Sequence, residues 1–367
     1  MRVLIAPDKY AGTLTAAQAA EAIAEGWRRS APHDVLDRAP LSDGGPGFLD
    51  ALRAALGGRL LALTVRGPFG EPTPAAVLHV AGTAYLESAQ ACGRHLTEGA
   101  RGDEASTYGV GELLLAAVET GAERVVVGLG GSGTNDGGAG LLAALGARAD
   151  VPLDRGVAGL GGIGELTLPD PGILAGAELV AASDVDNPLT GLFGASKVFG
   201  AQKGLDEDAQ MHADLALTRL ADLAGRTPAR EPGAGAAGGL GYALLLLGAQ
   251  REPGLAVVAA ATGLAQRIAA ADLVVTGEGA FDASSRGGKV PVALASMAAD
   301  RARPTIVLAG RVGLGMRETR ALGIEAAYGV VDAVGEERAL RDPALALGEL
   351  AERVARTWST RHHDSGE

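Results

Sequence analysis

Residues 124–140 read RVVVGLGGSGTNDGGAG, and the reading of this stretch decides the fold. Arg124-Val125-Val126-Val127 is a short apolar run of the kind that forms a buried strand, and the Ala/Leu-rich segment that ends near Gly146 predicts a helix. A strand passing through a glycine turn into a helix is the building unit of an α/β protein. Working outward, further strands are expected at 3–6, 60–65, 75–80, 84–87, 179–182, 272–276, 305–309 and 328–331. Helices are expected from a Thr13 or Thr15 cap to about Arg29, from about Gly109 to Thr120, and from Pro343 to Trp358. The Gly- and Pro-rich segment 150–171 reads as a long connection. Strands alternating with helices predict an α/β chain with mainly parallel sheet.

Gly128, Gly130 and Gly133 satisfy the GxGxxG spacing of a dinucleotide-binding turn. The second strand that such a site requires is missing, since only about three residues around Arg148 are available for it. A second GxGxxG at Gly233, Gly235 and Gly238 follows Arg230-Glu231-Pro232, which is no strand. The 128–138 loop reads better as a cradle for an oxyanion or phosphate. Consecutive glycines let backbone N–H groups converge, and the following helix adds its positive end. Ser132 and Thr134 add hydroxyls, Asn135 an amide and Asp136 a carboxylate, for which Mg²⁺ is the natural companion beside phosphate.

Other expected strand ends carry acids or lysines next to glycine. Asp8-Lys9 follows the first strand, and Ser42-Asp43-Gly44-Gly45 opens a helix. Ser183-Asp184-Val185-Asp186-Asn187 follows the 179–182 strand, and Gly277-Glu278-Gly279 follows 272–276. Ligands of open α/β sheets sit beyond the carboxyl ends of strands, so these segments are expected to share one site. Each Asp alone is more often a helix cap than a catalyst, whereas the excess of acids together favours a divalent-metal phosphate site. Lys203 and Lys289 each stand beside glycine and can reach phosphate oxygens, whereas a Walker A sequence is absent because Val290 follows Lys289.

Composition narrows the classes. The chain has 367 residues, a length that favours two domains, with 47% apolar and 21% charged residues. Aromatics are 3% and the formal charge is −12 with no Lys/Arg run, so nucleic acid is not an expected partner. One cysteine, Cys92, excludes a disulfide framework and reads as a buried, inert thiol. No charged leader precedes the first strand, and the longest apolar segment, 242–247, is far too short to span a bilayer; a soluble, cytoplasmic protein without membrane partners is expected. The polar end from Arg361 to Glu367 reads as a frayed tail.

Eight segments, in this order and spacing, make the chain resemble the type I glycerate kinase family. They are IAPDKYAGTLTA (5–16), PLSDGGPG (40–47), TYGVGELL (107–114), GLGGSGTNDGGAG (128–140), SDVDNPLTG (183–191), VFGAQKG (198–204), PGAGAAGGLG (232–241) and TGEGAFD with Gly288-Lys289 (276–289). The resemblance implies two α/β domains, one Rossmann-like or flavodoxin-like with a parallel sheet, and an active site in the cleft between them. The boundaries expected are 1–64 plus 260–367 for the Rossmann-like domain and 65–259 for the other. It implies ATP-dependent phosphorylation of D-glycerate, with 2-phosphoglycerate the expected product, Mg²⁺ as cofactor, and a monomer or homodimer.

On this reading Asp184 is the base, Asn187 orients the substrate, and Lys9 and Lys289 act on the transferring phosphoryl group. Asp8, Asp43, Gly44, Gly45, Gly130, Gly131, Ser132, Thr134, Asn135, Asp136, Lys203, Gly235, Gly238, Gly277, Glu278, Gly279 and Asp282 bind substrate or nucleotide. Asp43, Asp136 and Glu278 are the expected metal ligands, and Arg66 and Arg311 are candidate carboxylate clamps. The chain departs from the family pattern at Ala11 (commonly lysine), Pro46 (glutamate), Ala280 (arginine) and Ser284 (glutamine). The missing basic residues motivate one rival, a non-catalytic binding or regulatory protein on the kinase scaffold, and an NAD-dependent dehydrogenase is a further reading.

Overall fold

The computed structural model describes residues 1–10, 12–287 and 289–359. Ala11, Gly288 and the tail from 360 onward, on which readings above fell, lie outside the described residues. The strands of the two main sheets are, along the chain, β1 (Arg2–Ile5), β2 (Val35–Arg38), β3 (Arg59–Arg66), β4 (Pro72–Val80), β5 (Thr83–Glu87), β6 (Arg124–Gly128), β7 (Glu178–Ala182), β8 (Gln250–Glu252), β9 (Leu273–Thr276), β10 (Thr305–Ala309) and β11 (Ala326–Gly329). Helices named below are α1 (Ala16–Ser30), α2 (Tyr108–Glu119), α3 (Ala139–Ala144), α4 (Glu207–Ala224), α5 (Ala236–Leu246) and α6 (Pro343–Trp358). The chain divides into two compact units. The first comprises Met1–Ser42, Asp50–Ala55 and the residues from Leu255 onward; the second comprises Asp43–Leu49 and Leu56–Gly254.

The first unit is built on a five-stranded sheet in the order β11-β10-β9-β1-β2, all parallel. β9 and β10 are buried along their whole length, as continuous Val/Ile/Leu runs demand in a parallel sheet covered on both faces. β11 ends at Gly329, and Val330 begins a helix where the sequence predicted continued strand. Thr15, not Thr13, caps α1: its hydroxyl accepts from the Gln18 N–H, and the Gln18 side chain accepts from the Thr15 N–H in return. The buried stripe Ala19, Ala20, Ile23, Ala24, Trp27 of α1 faces Leu347, Leu350, Ala351 and Val354 of α6 in one core. The helices approach so closely that a Cβ at Gly26 would stand 2.0 Å from the Gly348 carbonyl oxygen. Gly26→Val therefore overpacks this seam, and urea unfolding should show a loss of about 1–3 kcal/mol or more with an unchanged slope.

The second unit holds a six-stranded mixed sheet in the order β8-β7-β6-β5-β4-β3. β3, β4 and β5 form an antiparallel meander, while β5, β6, β7 and β8 run parallel. The segment 124–128 is thus a central buried strand, as its apolar run predicts. The long connection 150–171 carries a two-residue strand, Leu166–Thr167, that pairs antiparallel with Arg148–Ala149. The residues around Arg148 therefore pair outside the main sheet, and the parallel strand that follows β6 along the chain and lies beside it is β7. Among the described residues no helix is long and apolar enough to cross a membrane.

Candidate active site

In the second unit the ends of β6 and β7 and the 43–47 turn come together through glycine. A Cβ at Gly44 would lie 2.8 Å from the Ala182 carbonyl oxygen at the end of β7, and one at Gly130 would lie 2.6 Å from the Gly45 Cα. Gly44 also has φ +92°, a left-handed conformation that glycine adopts at little cost. The Asp43 carboxylate accepts from the Gly45 N–H at 3.0 Å and sets the turn. Asp43, Gly44, Gly45, Gly130 and Gly131 therefore meet as the sequence suggests, and Ser183-Asp184 follows directly from β7.

Beyond Gly128 the chain turns through Gly131 (φ +66°), whose carbonyl accepts from the Arg94 N–H at 2.8 Å, while the Gly133 N–H donates to the Cys92 carbonyl at 2.7 Å. This seats the turn along residues 92–94. It opens on a cavity of about 200 Å³ lined by Leu129, Gly130, Gly131, Ser132, Arg94, Gln202, Lys203, Val185, Phe199 and Ala237. Two cations thus belong to its wall. Arg94 Nη1 donates to Gln202 Oε1 at 3.1 Å. Lys203 is only 2% exposed, and its ammonium donates to the Thr134 carbonyl at 2.6 Å. Burial lowers its pKa to about 8, against the raising influence of Cys92 and Asp136.

Thr134, Asn135 and Asp136 form the support behind this turn, all three fully buried. Asp136, expected as a magnesium ligand, accepts four hydrogen bonds from the chain. One oxygen accepts from the Thr107 N–H, the Thr107 hydroxyl and the Gly140 N–H, and the other from the Gly138 N–H. Burial raises its pKa and those four donors oppose the rise. This carboxylate satisfies the N–H groups of Gly138 and Gly140 at the start of α3, with Oδ1 taking one of the four donors. Asn135 donates to Ser196 Oγ at 2.8 Å.

Gly235 and Gly238 likewise support rather than line the cavity. A Cβ at Gly238 would fall 2.0 Å from the Thr134 carbonyl oxygen, and one at Gly235 would fall 2.3 Å from the Pro188 carbonyl oxygen. Left-handed Ala237, Gly238 and Gly239 interrupt the start of α5 so that the Gly238 carbonyl can accept from the Gly137 N–H. The second glycine cluster thus exists to let two backbones touch. Asn187 donates to the Phe193 carbonyl at 2.8 Å and shapes its own loop. Arg251, which sequence reasoning passed over, donates to the Ser183 carbonyl and pairs with Asp186 at 2.6 Å, fixing the loop that carries Asp184.

The first unit collects the remaining candidates at the carboxyl ends of β1 and β9. The Asp8 N–H donates to the Gly277 carbonyl at 2.8 Å, and the Lys9 ammonium stands 3.8 Å from the Asp8 carboxylate. Glu278, 5% exposed, accepts from Ser285 Oγ at 2.7 Å and pairs with Lys289 at 3.4 Å. Burial raises the Glu278 pKa, against those two partners. Gly277 is glycine because a Cβ would lie 2.0 Å from the Leu308 carbonyl oxygen. Asp282 accepts twice from Ser284, which holds its pKa low and makes it a local cap. The Gly279 carbonyl accepts from the Arg311 N–H at 3.0 Å. Arg66 stacks 3.8 Å from the Tyr108 ring and lies near Glu112 and Asp154, and Arg311 pairs with Glu336, so both guessed clamps have protein partners. Among the described residues no three His, Cys, Asp or Glu side chains gather as a ready metal cage.

Cys92 is fully buried, and burial pushes its thiol up to about 12, so it is inert at neutral pH. Arg94 is the cavity residue that sequence reading missed. Its only local signal is Gly93, where a Cβ would stand 2.3 Å from the Ala89 carbonyl oxygen.

Residues 3–359 match the family model described as the Glycerate kinase family. A Bacillus subtilis protein named glycerate kinase is 39% identical over 374 residues, covering 97% of this chain and 96% of its own. An Escherichia coli protein named glycerate 2-kinase is 37% identical over 350 residues, covering 91% of this chain and 92% of its own. A solved structure from Salmonella typhimurium LT2, assigned as a glycerate kinase 2, superposes with a TM-score of 0.78 at 36% identity and covers 97% of this chain and 98% of that one.

Proposed function

We propose that this chain, which belongs to the glycerate kinase family and is an enzyme of that family, transfers the terminal phosphoryl group of ATP to the C2 hydroxyl of D-glycerate. The observation that carries the substrate half is the 200 Å³ cavity in which the Gly130–Ser132 turn meets Arg94 and Lys203 beside Val185. Its size and charge suit a small hydroxy acid. The Arg94 guanidinium and the turn's N–H groups would take the carboxylate. Asp184, next to Val185, would accept the C2 hydroxyl proton, and its loop is held by Arg251. The relative named glycerate 2-kinase supports C2 as the acceptor.

Phosphoryl transfer asks for positioning and charge neutralisation more than covalent chemistry. Lys203 supplies buried positive charge at the substrate turn, and Lys9 and Lys289 would neutralise the transferring group. Mg²⁺ fits only in part. Asp136 accepts four hydrogen bonds from the chain, Glu278 accepts from Ser285 and pairs with Lys289, and Asp43 accepts from the Gly45 N–H; these are the carboxylates that would help hold the ion. The ion would then be bound mainly through phosphate oxygens and water, its usual habit, and would supply charge neutralisation.

An ADP-release assay with D-glycerate, L-glycerate and lactate tests this reading. D-glycerate alone should be turned over; equal rates without it would refute the proposal. Arg94→Gln should raise the KM for glycerate by roughly 10- to 100-fold with kcat within a fewfold, the effect of one charged hydrogen bond to a carboxylate. An unchanged KM would move the carboxylate elsewhere.

A further inference from the structure

The first unit contains a second cavity, of about 260 Å³, whose lining includes Gly279 and Arg311 but for which no ligand has been assigned above. It lies where the strands of the parallel sheet end. Tyr10, Thr13 and Leu14 follow β1, Gly279 and Ala280 follow β9, Gly310 and Arg311 follow β10, and Val330 and Val331 follow β11. Ala339, Leu340, Pro343 and Leu347 close it from the helical side. One wall is bare backbone. The Gly310 N–H donates to the Glu278 carbonyl and the Arg311 N–H to the Gly279 carbonyl, both at 3.0 Å, and a Cβ at Gly310 would stand 2.5 Å from the Gly279 oxygen. The opposite wall is aliphatic apart from Glu336, which pairs with Arg311. The result is a mainly apolar slot, smaller than the 300–1,000 Å³ that whole ligands commonly occupy and of a size for a ring system forming part of one.

Its neighbour is charged. Glu278, paired with Lys289, directly precedes Gly279, and Asp8-Lys9 directly precedes Tyr10. Tyr10 joins the two regions: its ring lines the slot, its hydroxyl donates to the Leu308 carbonyl, and the charges of Glu278 and Asp8 act on that hydroxyl. An apolar slot beside a lysine-bearing polar patch matches a molecule that is aromatic at one end and polyanionic at the other. We infer that this slot receives the purine ring of the nucleotide, with the polyphosphate lying toward Lys9 and Lys289. The inference rests on the reading of the enzyme as an ATP-dependent kinase and adds where the base binds.

Photolabelling of the full chain with 8-azido-ATP, with and without excess ATP, followed by peptide mass spectrometry, tests it directly. ATP-protected label on peptides containing Tyr10–Leu14 or Val330–Leu347 is the expected result. Protected label confined to other segments, or no protected label, overturns it. In a second arm, Leu340→Glu alters a side chain that is 62% exposed and so leaves folding intact. It should raise the KM for ATP about tenfold, as loss of one apolar wall contact implies, with kcat and the KM for glycerate unchanged. An unchanged KM for ATP also overturns the inference. Label at the slot without glycerate phosphorylation would refute the kinase reading and support the slot.

Discussion

Asp184→Asn should lower kcat for D-glycerate by about 10²- to 10⁴-fold, the range a positioned general base contributes. The amide has nearly the same shape as the carboxylate but cannot accept the hydroxyl proton. The KM for glycerate should stay within a fewfold, because binding is assigned to Arg94 and the glycine turn. Steady-state kinetics beside a thermal unfolding curve separate the outcomes. Near wild-type turnover by a folded variant would remove Asp184 from the chemistry.

Lys203→Met should cost about 10²- to 10³-fold in kcat/KM, as removal of one preorganised electrostatic contact does. The pH profile makes the test specific. With a pKa of about 8, Lys203 is cationic below that pH and neutral above it, so kcat/KM should decline as pH rises through about 8. Lys203→Arg keeps its charge and should shift that decline to higher pH. The stability effect has the opposite direction. A lysine whose folded-state pKa falls below its unfolded value of 10.5 destabilises the fold while protonated, and this cost is relieved between pH 8 and 10.5. Across that window wild-type stability should rise relative to Lys203→Met by roughly 3 kcal/mol. A pH-independent difference in urea titrations would contradict a buried, titrating ammonium.

The fold was legible wherever one physical signal dominated. β6, β9 and β10 are buried on both faces, so their Val/Ile/Leu runs announce them, and α6 begins at Pro343 and ends at Trp358 as its apolar periodicity predicts. β2 (Val35–Arg38) was passed over because it is an edge strand with little burial, and its sequence alternates no apolar face. α4, with exposed Met211, Leu215 and Leu223, has a weak stripe that gave no clear period.

The site was legible in kind more than in role. Glycine and acid clusters marked the right loops, yet sequence cannot separate a glycine that faces a ligand from one that lets two backbones touch. Gly131 stands in the cavity wall, Gly238 lies against Thr134, and Gly130 does both, lining the cavity and abutting Gly45. Asp136 shows the same ambiguity for carboxylates: a residue read as a metal ligand is satisfied by four donors of its own chain. Arg94 and Arg251 were missed because each acts through a tertiary contact that no local motif encodes.

Phosphorus NMR of the product formed from Mg-ATP and D-glycerate measures the central claim in one spectrum. Stoichiometric ADP and one phosphomonoester, with the proton coupling of a phosphate on C2, are expected. A phosphate on C3, or ATP left intact beside a folded enzyme and its substrate, would contradict it.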